Sequence, residues 1–266
     1  MAHKHLPSSR NRVSLMLKRL LRPWHQWLGI FSALFVLLLA ITGILINHSH
    51  HLAIDISHVK QAWLLDNYGI TPPAQINIYQ TSPLQLASSD NLVWVDKHLA
   101  LEANSTINGI VPFGGMFIAI DSDNLYLISA EGALLEKQDL STGLPSGLTS
   151  LANDGHIWIN TDSGSYMADE DLIEWTQAMP FVPLTWVQPL TEVSNSSVIT
   201  ATQEISLLAR SHHLTWERVL LDIHSGRFFG VLGPWFMDLV ALALIFMSLS
   251  GVYLWLQHKP KRIKRK

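Results

Sequence analysis

"WHQWLGIFSALFVLLLAITGILINHSHH", residues 24–51, decides what kind of molecule this is. No residue from Trp24 to Ile54 carries a formal charge, and most of Trp27–Ile46 is Leu, Ile, Val, Phe and Ala. Twenty such residues in a helix reach about 30 Å, the thickness of a bilayer's hydrocarbon core. Trp24 and Trp27 have the amphipathic rings favoured at a membrane interface. The run then stops abruptly, and His48, His50 and His51 crowd its end.

Working outward, a second apolar run at Val231–Leu256 is interrupted only by Asp238, and it carries Trp235, Tyr253 and Trp255 near its ends. Two transmembrane helices are therefore expected. Only 15% of the 266 residues are charged, which is poor for a soluble protein. Basic residues precede the first helix (Lys4, Arg10, Arg12, Lys18, Arg19, Arg22) and follow the second (from Lys259 to Lys266), with no acid in either flank. The stretch between the helices is acidic. The positive-inside rule then places both termini in the cytoplasm and the middle outside. The basic tails are read as topology signals; anionic-lipid or nucleic-acid binding is their other conceivable use, and no nucleic-acid partner is expected. The first apolar run is too long for a secretory signal and no A-x-A-like site follows, so it is read as an uncleaved anchor.

The expected layout is a basic N-terminus (1–23), helix one (24–47), an outer domain (48–229), helix two (230–257) and a basic tail (258–266). The outer domain reads as a short helix over Val59–Asn67 and then as mostly antiparallel β structure. Short β-like runs at 76–79, 92–95, 116–120, 124–128, 156–160 and 165–168 are separated by turn signals such as "DSDN" and "TDSG". "MFIAIDSDNLYLISAEGALLEKQ" and "HIWINTDSGSYMADEDLIEWTQ" resemble each other at a spacing of 40 residues, a propeller-blade period. A closed propeller needs at least four blades, so a small stacked sheet is the expectation. Tryptophans 94, 158, 175 and 186 are expected in its core. "DLSTGLPS" (139–146) is read as a turn, in preference to a site of covalent flavin attachment at Thr142. The fold class is thus a membrane protein with two helices flanking an α+β domain.

Cysteine is absent, which excludes disulfides, thiolate metal sites and covalently attached haem. Histidine is abundant, with thirteen. His25 and His258 lie at the inner helix ends; His48, His50, His51 and His224 lie at the outer ends. His25 and His48 are separated by roughly 34 Å of helix, so one cofactor cannot touch both. Two stacked haem b groups, one per membrane face, would need neutral imidazoles and small residues where a porphyrin meets backbone. Gly29 and Gly43 in helix one, and Gly230, Gly233 and Gly251 in helix two, are candidates. Two other readings stay open: a zinc or copper site at His48, His50 and His51, and a purely structural use of the histidines, with glycines that let helices pack. Asp238 is either a helix-start acid favoured by the helix dipole or an acceptor that orients His48.

"RPWHQWLGIFSALFVLLLAITGILINH" resembles the first helix of the PepSY-associated transmembrane family of bacterial inner membranes: His25, Gly29, Thr42, Gly43, Asn47 and His48 match in order. "DIHSGRFFGVLGPWFMDLVALALIFMSLSGVYLWLQHK" is similar to its last helix, through His224, Gly226, Gly230, Asp238, Leu239, Ser250, Gly251, Tyr253, Leu254 and Trp255. The outer domain is PepSY-like mainly through "VKQAWLLDNYGI". The resemblance implies an inner-membrane location with a periplasmic middle domain. Larger relatives have four membrane helices, and some are haem reductases acting on ferric siderophores. It also implies that His25, His48 and His224 ligate haem, while His258 lies beyond the matched motif. A two-helix member would then be an electron carrier or reductase component with unidentified donor and acceptor. It would reach four helices as a homodimer or with another membrane subunit. A non-enzymatic periplasmic binding or regulatory module is the alternative.

Overall fold

The computed structural model describes residues 9–190 and 196–257. Helix α1 spans Ser9–Asn47 and the short helix α2 spans Ala62–Asn67. Four strands follow: β1 (Ile76–Gln80), β2 (Leu86–Ser89), β3 (Leu92–Val95) and β4 (His98–Glu102). The next four are β5 (Gly109–Phe113), β6 (Met116–Ile120), β7 (Leu125–Ile128) and β8 (Leu134–Gln138). The last four are β9 (Leu148–Asn153), β10 (Ile157–Thr161), β11 (Gly164–Ala168) and β12 (Trp175–Gln177). Helices α3 (Ser196–His212), α4 (Trp216–Ser225) and α5 (Leu232–Gln257) complete the described chain. The chain forms two compact units: its two ends, up to Ser57 and from Thr215, make one, and His58–Leu214 makes the other.

The first unit is helical. Arg19–Asn47 and Leu232–Leu256 are long and apolar enough to cross a membrane, with mean hydropathies of 2.7 and 2.2. They pack on each other, with the Phe35 and Phe236 rings edge-on at 5.3 Å. Their outer faces leave Ile30, Leu34, Leu37, Ile41, Leu239, Leu242 and Leu249 exposed, as contact with lipid requires. Helix α1 begins earlier than the expected Trp24, because it runs through Pro23. Proline removes one helical hydrogen bond, but the preceding "SLMLKRLLR" is rich in strong helix formers that sustain the helix on its N-terminal side. His224 precedes α5 on a helix of its own. It lies on α4, which is capped by the Thr215 side chain accepting from the Arg218 N–H and stopped by Gly226 in a left-handed conformation (φ 83°). Of the N-terminal basic flank, Arg10, Arg12, Lys18, Arg19 and Arg22 fall within α1, whereas residues 1–8 and the C-terminal tail with His258 lie outside the described residues.

The second unit stacks three antiparallel four-stranded meanders, β1–β4, β5–β8 and β9–β12. The strand period explains the stack. Ile118 and Ile120 of β6, with Leu125 and Leu127 of β7, face Leu151, Ile157 and Ile159 of the third sheet. Phe117 and Ala119, with Tyr126 and Ile128, point the other way, toward Val93 and Val95 of the first. Residues two apart share a face, so the middle sheet is apolar on both faces and its strands read as continuous hydrophobic runs. The remaining face of the first sheet, with Ile78, Leu92 and Trp94, is covered by Val198, Ala201, Ile205 and Ala209 of α3.

The two stretches that look alike in the sequence are β6–β8 and β10–β12. The structure adds a third blade-like sheet, β1–β4, whose "SSDNLVWV" (88–95) parallels "DSDNLYLI" (121–128). Trp94 and Trp158 are buried, whereas Trp175 and Trp186 are only half-buried. The expected helix over Val59–Asn67 is shorter, because Val59 instead pairs its N–H with the Leu214 carbonyl. Residues 139–143 form a turn: Leu140–Thr142 is one 3₁₀ turn closed by reciprocal Asp139–Thr142 capping.

Candidate functional site

Helices α1, α4 and α5 bring two histidines onto two matching dipeptides. Near the C-terminal end of α1, Thr42–Gly43 faces His224 of α4. Near the C-terminal end of α5, Ser250–Gly251 faces His25 of α1. His224 Nδ1 lies 2.7 Å from Thr42 Oγ1, and His25 Nδ1 lies 2.8 Å from Ser250 Oγ. Both hydroxyl residues are buried.

The direction of these hydrogen bonds follows from where the hydroxyl protons go. Thr42 Oγ1 donates to the Leu38 carbonyl at 2.7 Å, and Ser250 Oγ donates to the Met247 carbonyl at 3.2 Å. A hydroxyl has one proton and two lone pairs. With its proton committed to its own helix, each oxygen accepts from the histidine. Each imidazole is then held with Nδ1 protonated, and in the neutral ring Nε2 keeps its lone pair. No hydrogen bond occupies either Nε2 among the described residues. An Nδ1–H anchored by an oxygen acceptor is also the usual support for a metal-ligating histidine.

The glycines serve the same geometry. A Cβ on Gly43 would stand 3.6 Å from His224 Cε1, and one on Gly251 would stand 3.3 Å from His25 Cε1. Each ring edge thus lies over bare backbone of the neighbouring helix. The other glycines expected to admit a porphyrin have different neighbours. Gly29 faces Met247, whose Cε would be 3.0 Å from an added Cβ. Gly233 meets Gly226 so closely that a Cβ would fall 1.8 Å from the Gly226 carbonyl oxygen. Gly230 has open space beside it but a positive φ of 78°.

The structure does not gather all the expected site residues. His48 is exposed, and its ring neighbour is His51, at a centroid distance of 6.1 Å. No hydrogen bond or ring contact joins it to His224 among the described residues. His50 turns away to Asp55, with Nδ1 3.1 Å from Oδ2. That partner holds the Asp55 carboxyl below its usual range. The described residues contain no group of three or more His, Cys, Asp or Glu placed to hold a metal ion, so His48, His50 and His51 form no such cage. Asp238 is exposed on the first turns of α5 and makes no hydrogen bond to a histidine among the described residues. Hydroxyls hold the other two histidines, Thr42 at His224 and Ser250 at His25. A signal for these two was present: Ser/Thr–Gly occurs once in each membrane helix, near the end opposite its N-terminus.

No characterised protein and no solved structure matched the chain. A family model did. The PepSY-associated TM region model matches residues 3–258, nearly the whole chain with its β-rich unit included, and the protein belongs to that family.

Proposed function

We propose that this membrane-anchored PepSY-family protein is a b-type haem electron carrier of a bacterial inner membrane, passing electrons to a periplasmic acceptor of the ferric iron or ferric-siderophore class. One observation supports the reading most: Nδ1 of His25 and of His224 is each engaged by a hydroxyl of another helix, and neither Nε2 has a protein partner among the described residues. These residues fit a haem-holding role, in which each would offer its Nε2. The ring orientation is set before any ligand arrives, and the glycine beneath each ring removes a side chain that would compete for the space. A bound haem would supply one-electron redox chemistry at its iron.

The chain's own part is ligation, orientation and exclusion of water. His25 would offer Nε2 at one membrane face, and His224 at the other, with His48 as the second ligand of the outer site. Positions 25 and 42 lie about 26 Å apart along α1, which separates the two sites by most of the hydrocarbon thickness. The Phe31, Phe35 and Phe236 rings pack in α1 and α5 between those levels. Two helices leave one porphyrin face toward lipid, whereas four enclose it. A C2 homodimer, or a complex with another membrane subunit, supplies the other two.

The test is the visible spectrum of the full-length protein purified from haem-replete cells. A reduced-minus-oxidised α band at the b-type position is expected. His25→Ala and His224→Ala should each remove part of it, Thr42→Val should weaken the outer site, Thr42→Ser should retain it, and His50→Ala should change nothing. A colourless wild-type preparation would overturn the reading. The second reading would then stand, a non-enzymatic binding module whose histidine–hydroxyl pairs only latch the helices. It is favoured by the fact that both interhelical hydrogen bonds are complete without a ligand.

A further inference from the structure

The β-rich unit His58–Leu214 carries seventeen Asp and Glu but only four Lys and Arg and five His. Two of those Lys and three of those His line a single cavity of about 260 Å³, with Trp94 in its wall. They are Lys60, Lys97, His58, His98 and His212. They come from three places in the chain: the segment before α2, the β3–β4 hairpin, and the last turn of α3. Their convergence is therefore a product of the fold. No carboxylate lines the cavity.

The charges around it are accounted for one by one. Lys97 is tied to Glu204 of α3 and feels Asp96 beside it, so its charge is largely spent. Lys60 has no carboxylate partner among the described residues. His58 and His212 face each other with ring centroids 5.5 Å apart, and His213 follows at 5.7 Å from His212. Burial, and then the like charges of His58 and His213, push His212 down; Glu102 pulls it back only in part. The C-terminal end of α3 favours a cation there. A cavity that gathers basic groups in an acidic unit and leaves Lys60 without a carboxylate partner among the described residues is a focus of positive potential. A metal cage does not account for it, since no group of three ligands is assembled among the described residues.

We propose that this cavity is an anion-binding site for a small, multiply charged oxyanion of the phosphate or polycarboxylate class, with Lys60 as the standing charge and His58 and His212 as charges recruited by the ligand. A bound anion offsets the repulsion from His58 and His213 that, together with burial, disfavours protonation of His212. Binding takes up protons and tightens as pH falls. The site is independent of the haem reading.

The experiment is calorimetric titration of the full-length protein, in nanodiscs of zwitterionic lipid, with citrate and with inorganic phosphate at pH 6 and pH 8. Lipid headgroups then offer no competing net negative charge. Citrate should bind about tenfold or more tightly at pH 6 than at pH 8, as uptake of one or two protons requires. Lys60→Gln, at an exposed position that leaves the fold intact, should weaken citrate at both pH values. His58→Gln with His212→Gln should flatten the pH dependence and leave the weaker pH 8 binding. Absence of citrate and phosphate binding at pH 6 would overturn the proposal. So would an affinity unchanged by Lys60→Gln, or a cavity that takes zinc but neither anion.

Discussion

A single carboxylate shows how this protein manages buried charge. Asp121 is fully buried at the end of β6. Burial alone would raise its carboxyl, but N–H donors from Asp123 and Asn124, the Asn124 amide and the Tyr126 hydroxyl outweigh it, and the group is held below its ordinary range. The same contact raises Tyr126: burial, helped by Asp121, pushes the phenol up to about 12. The signs set opposite pH limits. A depressed carboxyl stabilises the fold above its unfolded pKa, near 4, and that contribution is lost as pH falls further. A raised phenol stabilises it below its unfolded value, near 10, and that contribution fades as pH climbs toward 12. Asp121→Asn should therefore destabilise the β-rich unit by about 1.5–3 kcal/mol at pH 7, the worth of hydrogen bonds to a charged group. The gap from wild type should narrow below about pH 4. Denaturant melts of both proteins across pH check this; a gap that stays constant down to pH 2 would contradict it.

At the scale of elements, the junction between α4 and α5 is the tightest point in the helical unit. Gly226 ends α4 with φ 83°, and its carbonyl oxygen occupies the place where a side chain on Gly233 would begin. That close approach turns the chain from the short helix bearing His224 into the long apolar one. Gly233→Ala cannot be absorbed by moving a flexible side chain, because the clash is with backbone. Overpacking of this kind costs about 1–3 kcal/mol and occasionally more. The expected result is displacement of α4 and loss of the His224–Thr42 hydrogen bond. Gly43→Ala should be mild, because its added Cβ would meet only ordinary van der Waals contact at 3.6 Å. Proteolytic susceptibility of the two variants in detergent separates these outcomes. Equal resistance would show that the Gly226–Gly233 approach is not limiting.

For the whole molecule, the two apolar helices enclose the β-rich unit in sequence and make this a membrane protein. The arrangement across the bilayer is the expectation left by the basic flanks. A reporter fused after Lys266 should behave as cytoplasmic, and one inserted at the exposed Asn153, at the end of β9, as periplasmic. A cytoplasmic signal from Asn153 would reverse the layout. It would also place the cavity at His58 and His212 on the other side of the membrane, where it would meet a different pool of anions.

What the sequence determined by itself was whatever depends on local composition and period. Two apolar runs of membrane length, the histidines near their ends and the family likeness are all written in the chain itself. The repeat in β6–β8 and β10–β12 was legible because each strand keeps its period and each hairpin keeps its turn residues. The first sheet was harder to see, since "SSDNLVWV" is followed by a shorter hairpin that breaks the 40-residue spacing. Other facts belong to tertiary structure alone, because they join residues far apart in the chain. Nothing local says that Thr42 accepts from His224 or Ser250 from His25, nor that Asp238 stands apart from both. The protonated nitrogen of each histidine was decided by a hydroxyl on another helix, whose own proton had already been claimed by the carbonyl one turn back.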